Sequence, residues 1–403
     1  MRSPENSLTV QPESVRVALV HDWLTGMRGG EKVLQVLCER FPQAPLWTLL
    51  HLPGTVSKQI SSRRIHTSLL QYMPRAVTKY RHYLPLFPLF AECNKALAAD
   101  LIFSTSHAVA KSMVKRPHRG PRAIHICYIH TPMRYAWDMF DDYFGPERVG
   151  TFASRFLFRP LVKLLQFYDA GTSGRVDLFV ANSRYVAERV QRIYGRHAEV
   201  LAPPVDTERF RQCPRLPEEH YLVVSALVPY KRIDHAIRAC AALHRKLCIV
   251  GKGDELASLR RLAEEVGATV DFVGFASDEA LAGFYSHARA LLFPGVEDFG
   301  IVPVEAIASG CPVIALGVGG VLDSMTPQTA VLYNEPTVQG LTEAMLEFEA
   351  REQDFVEANL RSRADLFSTA NFLAGIERVL LRARALAIEE NRDEVLPAYL
   401  AAE

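Results

Sequence analysis

A chain of 403 residues is longer than one compact core accommodates and predicts two domains. With 49% apolar and 23% charged residues it has the balance of a soluble globular protein, and a formal net charge of +1 argues against bulk nucleic-acid binding. Cys38, Cys93, Cys127, Cys213, Cys240, Cys248 and Cys311 form no CxxC pair, which reads as reduced cytosolic thiols and excludes a disulfide framework and a cysteine zinc site.

The first stretch, "MRSPENSLTVQPES", is polar and lacks an apolar h-region, so no signal peptide is expected. No apolar run approaches the roughly 18 residues that span a bilayer. The expected location is cytoplasmic, peripheral to the inner face of the plasma membrane at most. "VRVALVHDW" (15–23) then reads as a buried strand. A glycine-rich loop follows, and a helix whose buried face carries Val33, Leu34, Val36, Leu37 and Phe41. Further strands are read at 99–106, 123–130 and 176–183. The proline-rich segment 200–220 reads as a linker. The same grammar restarts at 221–227, 246–253, 269–275, 288–295 and 311–317. Continuous apolar strands alternating with helices predict parallel sheets covered on both faces. The expected architecture is α/β, with two Rossmann-like doubly wound domains and an interdomain cleft. Its boundaries are read at 1–204, 205–380 and a C-terminal helix at 381–403 that packs back on the first domain. In such sheets ligands sit at the carboxyl ends of the strands.

"FPGVEDFGIVPVEAIASGCPVIA" (293–315) sets Glu297 and Glu305 eight positions apart. Pro294-Gly295 breaks the preceding strand, Pro303 suits a first helical turn, and Gly310 suits the helix end. Glu297 then belongs to the loop and Glu305 to the first turn of the helix. Phe299, Gly300, Ile301 and Val302 supply backbone N–H groups at a helix N-terminus, an anion site. A diphosphate there would lie between two carboxylates able to accept hydrogen bonds from sugar and ribose hydroxyls. The bland alternative is a solvated loop acid and a residue that complements the helix dipole.

"VEDFGIVPVEAIASGCPVIA" resembles the E-x7-E signature of family 4 glycosyltransferases, retaining enzymes with the GT-B fold. "GGEKVLQVL", "YIHTPMRYAWD", "ANSRYVAERVQRIYG", "VLAPPVDTERF" and "LVPYKRIDHAI" resemble further segments of that family, in its order. The wording is most similar to mannosyltransferase-like enzymes of O-antigen and exopolysaccharide assembly. The resemblance implies that Glu297 contacts the donor sugar's hydroxyls, Glu305 the ribose and Lys231 the diphosphate, with His130 near the anomeric centre or the sugar's O6. It also implies that Gly29 and Gly30 let backbone approach the phosphates, and that Gly251, Gly253 and Phe275 line the base pocket. The implied partners are a nucleotide sugar (GDP-mannose by branch) as co-substrate and a glycan or polyprenyl-linked acceptor, with no cofactor, metal or nucleic acid. A helix N-terminus (~0.3–2 kcal/mol) and a charge-assisted hydrogen bond (~1.5–3 kcal/mol) could together replace a metal at the leaving group. Asp141-Asp142, the tempting metal pair, reads as a solvated loop or a helix start.

One position departs from the pattern. Where many family members carry an arginine before the lysine, "VSALVPYK" has Ala226, leaving the phosphate to Lys231 alone or with Arg232. Ala226 motivates an alternative, a catalytically weak sugar-nucleotide-binding scaffold of a glycan-assembly complex. A nicotinamide dehydrogenase is disfavoured because Gly26, Gly29 and Gly30 lack the GxGxxG spacing. Finally, from Arg40 to Ala91 there is no acid, yet cations interleave with Leu69, Leu70, Tyr72, Met73, Tyr80, Tyr83, Leu84, Leu86, Phe87, Leu89 and Phe90. "SRFLFRPLVKLLQFY" (154–168) repeats the mix. These segments predict either core packing or an interfacial membrane face.

Overall fold

The computed structural model describes residues 15–93, 97–115, 122–138, 140, 144–146 and 150–389. Asp141-Asp142, the polar N-terminal stretch and the end of the expected C-terminal helix lie outside these residues. The described residues fall into two compact units, one within 1–181, 189–199 and 375 onward, the other within 182–188 and 200–374.

The first unit is built on strands β1 (Val17–His21), β2 (Leu46–Thr48), β3 (Ile65–Thr67), β4 (Leu101–Ser106), β5 (Ile124–Ile129), β6 (Leu178–Ala181) and β7 (Ala198–Val200). They lie in the order β3-β2-β1-β4-β5-β6-β7, and β1 to β6 pair in parallel. Every residue of β4 and β5 is buried, as expected of central strands covered on both faces. The Gly29–Arg40 helix buries Val33, Leu34, Val36 and Leu37, with Phe41 just beyond it, the face read from the sequence. The Thr369–Glu389 helix joins this unit from Gly375 onward, where Glu377 Oε1 takes a hydrogen bond from Arg40 Nε at 2.6 Å.

The second unit carries β8 (Tyr221–Val224), β9 (Leu247–Val250), β10 (Val270–Gly274), β11 (Leu291–Phe293), β12 (Val313–Leu316) and β13 (Ala330–Tyr333), all parallel in the order β10-β9-β8-β11-β12-β13. Edge strand β10 alternates between half-buried and exposed residues, whereas β9 and β12 are buried throughout.

Two expectations change. The 200–220 linker is partly built into the second core. Val205 and Phe210 are buried there, Val205 N donates to Phe367 O at 2.8 Å, and Asp206 caps a short Thr207–Arg211 helix. The basic-aromatic segments divide by face. Leu70, Tyr80, Leu84, Phe87 and Phe90 belong to the first core, and Met73 and Tyr83 pack against it half-buried. Leu69, Tyr72, Leu86 and Leu89 are exposed. In the second segment Val162 and Leu165 point inward, while Phe156, Leu157, Leu164 and Phe167 are exposed.

Candidate active site

In the second unit the site forms at the carboxyl ends of β8, β9 and β11. Lys231 closes the 3₁₀ turn Pro229–Lys231 after β8, and Gly295 packs directly on it. A Cβ on Gly295 would lie 2.9 Å from Lys231 Cα and 3.0 Å from its carbonyl oxygen, so a larger residue would push the two loops apart. The Lys231 ammonium donates to Glu297 Oε1, with 13% and 25% of the two side chains exposed. A cation and an acid from separate loops are thereby held at one point.

The helix after Glu297 runs from Ile301 to Ala308 behind Gly300, whose φ of 84° suits glycine. Ile301 and Val302 open it, so their N–H groups have no acceptor one turn back. Phe299 is buried and meets Phe367 edge-on at 5.7 Å. Because Pro303 is the third helical residue, Glu305 is the fifth, starting the second turn where the sequence placed it in the first. Its carboxylate is buried and accepts from Tyr285 Oη at 3.0 Å. Burial and the adjacent Glu305 charge push the Tyr285 phenol well above its usual range, so it stays a donor. Tyr285, on the Asp278–His287 helix, carried no local signal in the sequence.

A second support escaped the sequence reading. Gly319 bridges Glu297 in parallel, and Gly320 N donates to Glu297 O at 2.9 Å. A Cβ on Gly320 would overlap the Asp298 carbonyl and Phe299 Cα. The "GVGG" turn is therefore the floor on which the acidic loop rests.

Gly251 and Gly253 have a similar role. A Cβ on either would overlap the backbone at Ser225 or Leu227, so both let the segment around Ala226 lie close. Gly251, at φ 148°, also donates to Gly274 O at 2.7 Å. Phe275 is 73% exposed, with the Lys252 ammonium 5.5 Å from its ring centre. Ala226 is exposed. Arg232 adopts a left-handed backbone (φ 53°) and its guanidinium reaches His235 Nε2 and Asp234, the latter at 3.6 Å. The structure therefore does not bring Arg232 to the Glu297 carboxylate that holds Lys231.

In the first unit, histidines gather at the carboxyl ends of β1, β4 and β5. His21 is fully buried, with Nδ1 2.7 Å from Thr105 Oγ1 and Nε2 3.8 Å from Glu31 Oε1. His130, just after β5, anchors its backbone N–H on Ser106 O at 2.8 Å. Gly30 lies against the imidazole: a Cβ there would be 3.4 Å from His130 Nε2, an ordinary van der Waals contact. Gly29 opens the helix, and Glu31 Oε2 accepts from the Arg28 backbone N–H at 3.1 Å. Burial, with His107 and His21 nearby, holds His130 well below the usual histidine range and keeps it neutral at pH 7. The residues after it are braced. Arg189 donates to Thr131 Oγ1 at 2.7 Å and pairs with Asp138, and Trp137 Nε1 donates to Asp169 at 2.8 Å. Asp22, unread in the sequence, is fully buried and accepts the backbone N–H groups of His107, Ala108, Val109 and Ala110 at 2.6–3.0 Å.

Comparison with known proteins places this geometry. Residues 27–209 match the model "Glycosyltransferase Family 4", and residues 205–365 match "Glycosyl transferases group 1". The chain belongs to glycosyltransferase family 4. A GDP-mannose-dependent monoacylated alpha-(1-6)-phosphatidylinositol monomannoside mannosyltransferase of Corynebacterium glutamicum is 31% identical over 43% of this chain and 52% of its own length. A GDP-mannose-dependent alpha-(1-6)-phosphatidylinositol monomannoside mannosyltransferase of Mycobacterium tuberculosis is 32% identical over 42% and 52%. The chain thus spans about half the length of the curated relatives it matches. Among solved structures, sucrose-phosphate synthase from Thermosynechococcus elongatus superposes with a TM-score of 0.70 at 18% identity, covering 92% of this chain and 100% of that one. Anabaena HepE in complex with UDP gives 0.66 at 16% identity, covering 91% and 100%. These likenesses establish the GT-B fold for this member of the family.

Proposed function

We propose that the protein is a retaining, metal-independent hexosyltransferase that moves mannose from GDP-mannose to a glycan or polyprenyl-linked acceptor in surface polysaccharide synthesis. The observation that carries the reading is the Lys231–Glu297 pair at the mouth of the second sheet, eight residues before the buried Glu305. In this reading the arriving diphosphate takes the Lys231 ammonium. Glu297, released, accepts from the sugar's hydroxyls, and Glu305, oriented by Tyr285, accepts from the ribose. The first unit binds the acceptor and offers neutral His130 to the reacting sugar. Gly29 and Gly30 let backbone approach the phosphates, Phe299, Gly300, Ile301 and Val302 offer their N–H groups to the diphosphate, and the backbone around Gly251, Gly253 and Phe275 lines the base pocket. The choice of GDP-mannose follows the GDP-mannose dependence of the relatives in Corynebacterium and Mycobacterium.

Exposed, uncharged Ala226 favours the second reading, a weak nucleotide-sugar-binding scaffold. The purified chain, with chelator present, decides between them. GDP-mannose should raise the melting temperature more than UDP-, ADP- or CMP-linked sugars, and GDP should be released with turnover. A shift without GDP release supports the scaffold, and no shift with any donor removes both readings. Product NMR reads anomeric retention.

The proposed location is the cytoplasmic face of a membrane, held peripherally. Among the described residues no helix is long and apolar enough to cross a bilayer. Phe152, Phe156, Leu157, Leu164 and Phe167 are exposed, and Arg155, Arg159 and Lys163 lie between them in the chain. Basic residues contribute about 1 kcal/mol each near an anionic surface, so three suffice for reversible attachment. Co-sedimentation with phosphatidylglycerol vesicles should rise with anionic lipid and fall with salt. Equal recovery in the supernatant with and without vesicles at low salt would refute the contact.

A further inference from the structure

The three histidines at the carboxyl ends of β1, β4 and β5 are not equivalent. His21 is sealed in the core. His130 sits over Gly30. His107, the residue after β4, keeps 28% of its side chain exposed and has Nδ1 3.1 Å from Asp22 Oδ2. Its ring meets Trp23 edge-on at 4.4 Å and lies 6.3 Å from His130, centre to centre. Asp22 does not need the imidazole to balance its charge, because four backbone N–H groups already donate to it. Those same bonds fix the His107–Ala110 backbone and so the position of the ring.

A carboxylate beside Nδ1 favours the proton there and leaves the lone pair on Nε2. Desolvation lowers the His107 pKa further than neighbouring Asp22 raises it, so the ring is neutral at pH 7. A neutral imidazole of fixed tautomer, partly open, at the carboxyl ends of parallel strands, is a hydrogen-bond acceptor waiting for a hydroxyl.

We propose that His107 Nε2 accepts a hydrogen bond from the attacking hydroxyl of the acceptor sugar, with Asp22 as its positioning residue. The inference rests on the first unit's binding the acceptor, as proposed above. The imidazole is unchanged by the net reaction. The acceptor O–H and the anomeric C–O bond break, the new glycosidic bond forms, and the proton leaves with the nucleoside diphosphate or to solvent. His107 sets the direction from which the oxygen approaches, a contribution to orientation.

The test separates transfer from hydrolysis in wild type, His107→Phe and His107→Gln, with GDP-mannose as donor and octyl α-D-mannopyranoside as acceptor probe. In His107→Phe, the thermal shift with donor and the acceptor-free release of GDP should match wild type. The transfer kcat/KM should fall about 10- to 100-fold. His107→Gln, whose amide oxygen can accept, should recover part of the loss. Unchanged transfer in His107→Phe overturns the proposal. So does an equal fall in hydrolysis, which would place the ring on the donor or in the fold. Nitrogen NMR of histidine-labelled wild type gives a reading independent of any acceptor. The Nδ1–H tautomer is expected for His107, and an Nε2–H tautomer overturns the assignment even in a protein that hydrolyses donor normally. A wild type that neither binds nor turns over any nucleotide sugar fails at the earlier step, the transferase reading itself.

Discussion

Glu297→Gln is expected to lower kcat about 10²- to 10³-fold, the range for removing one preorganised electrostatic contact to the transition state, with donor KM little changed. The amide keeps the shape of the side chain and loses the charge. Lys231 still reaches the diphosphate, so ground-state binding survives. On the proposed reading, what is lost is the negative charge and one of the two accepting oxygens that face the sugar's hydroxyls, whose hydrogen bonds strengthen as positive charge builds at the ring. Stability should barely move, because the Lys231–Glu297 pair is partly exposed and such pairs contribute about 0–1 kcal/mol. Glu305→Gln should behave in the opposite sense, raising donor KM and sparing kcat, since contacts to the ribose are alike in ground and transition states. Glutamine is the right probe there. Alanine would strand the buried Tyr285 hydroxyl at about 1–3 kcal/mol and confound binding with folding. Steady-state kinetics check both. Wild-type kcat/KM in the two glutamine variants would remove the donor-site assignment.

What the sequence revealed, and what it hid, follows from how far apart the partners lie. The strands β1, β4, β5, β6, β8, β9, β11 and β12 were legible because burial on both faces writes an unbroken apolar run, and β10 because turn residues bound it. The strands β2, β3 and β7 have three residues each, too few to write any run, and β13 was passed over although it is apolar. The Glu297 loop was readable because a broken strand, glycine, proline and helix follow in order within a few residues. The groups that brace it were not. Tyr285 lies 20 residues from Glu305, and the backbone that Asp22 holds begins 85 residues away. No local pattern reports such pairs. An acid closing the buried strand "VALVHD" was the available hint, since a carboxylate at that depth requires donors. The basic-aromatic segments were ambiguous for another reason. Composition does not say which side of a helix faces in, and Leu165 is buried while Leu164 beside it is exposed.

The floor beneath the acidic loop supplies the other large effect. Gly320 has φ −68°, an ordinary helical value, so alanine would meet no backbone strain there and would slightly lower the entropy of the unfolded chain. The obstacle is space, because both atoms a Cβ would overlap, the Asp298 carbonyl oxygen and Phe299 Cα, are backbone and cannot rotate aside. The loop from Glu297 to Phe299 must lift, breaking the 2.9 Å hydrogen bond from Gly320 N to Glu297 O. Overpacking of this kind costs about 1–3 kcal/mol, which at about 2–4 °C per kcal/mol lowers Tm by about 2–12 °C. A shift of about 1 Å in a positioned carboxylate costs about 10²-fold in rate, so Gly320→Ala should lose at least that in kcat/KM. Gly283→Ala is the control. It lies in the Asp278–His287 helix with nothing within 4 Å of a new Cβ, and it should gain about 0.5–1 kcal/mol with activity intact. Melting curves and kinetics on the two variants separate the cases. Wild-type Tm and kcat/KM in Gly320→Ala would mean that the acidic loop moves freely and that Glu297 does not depend on the Gly319-Gly320 turn for its place.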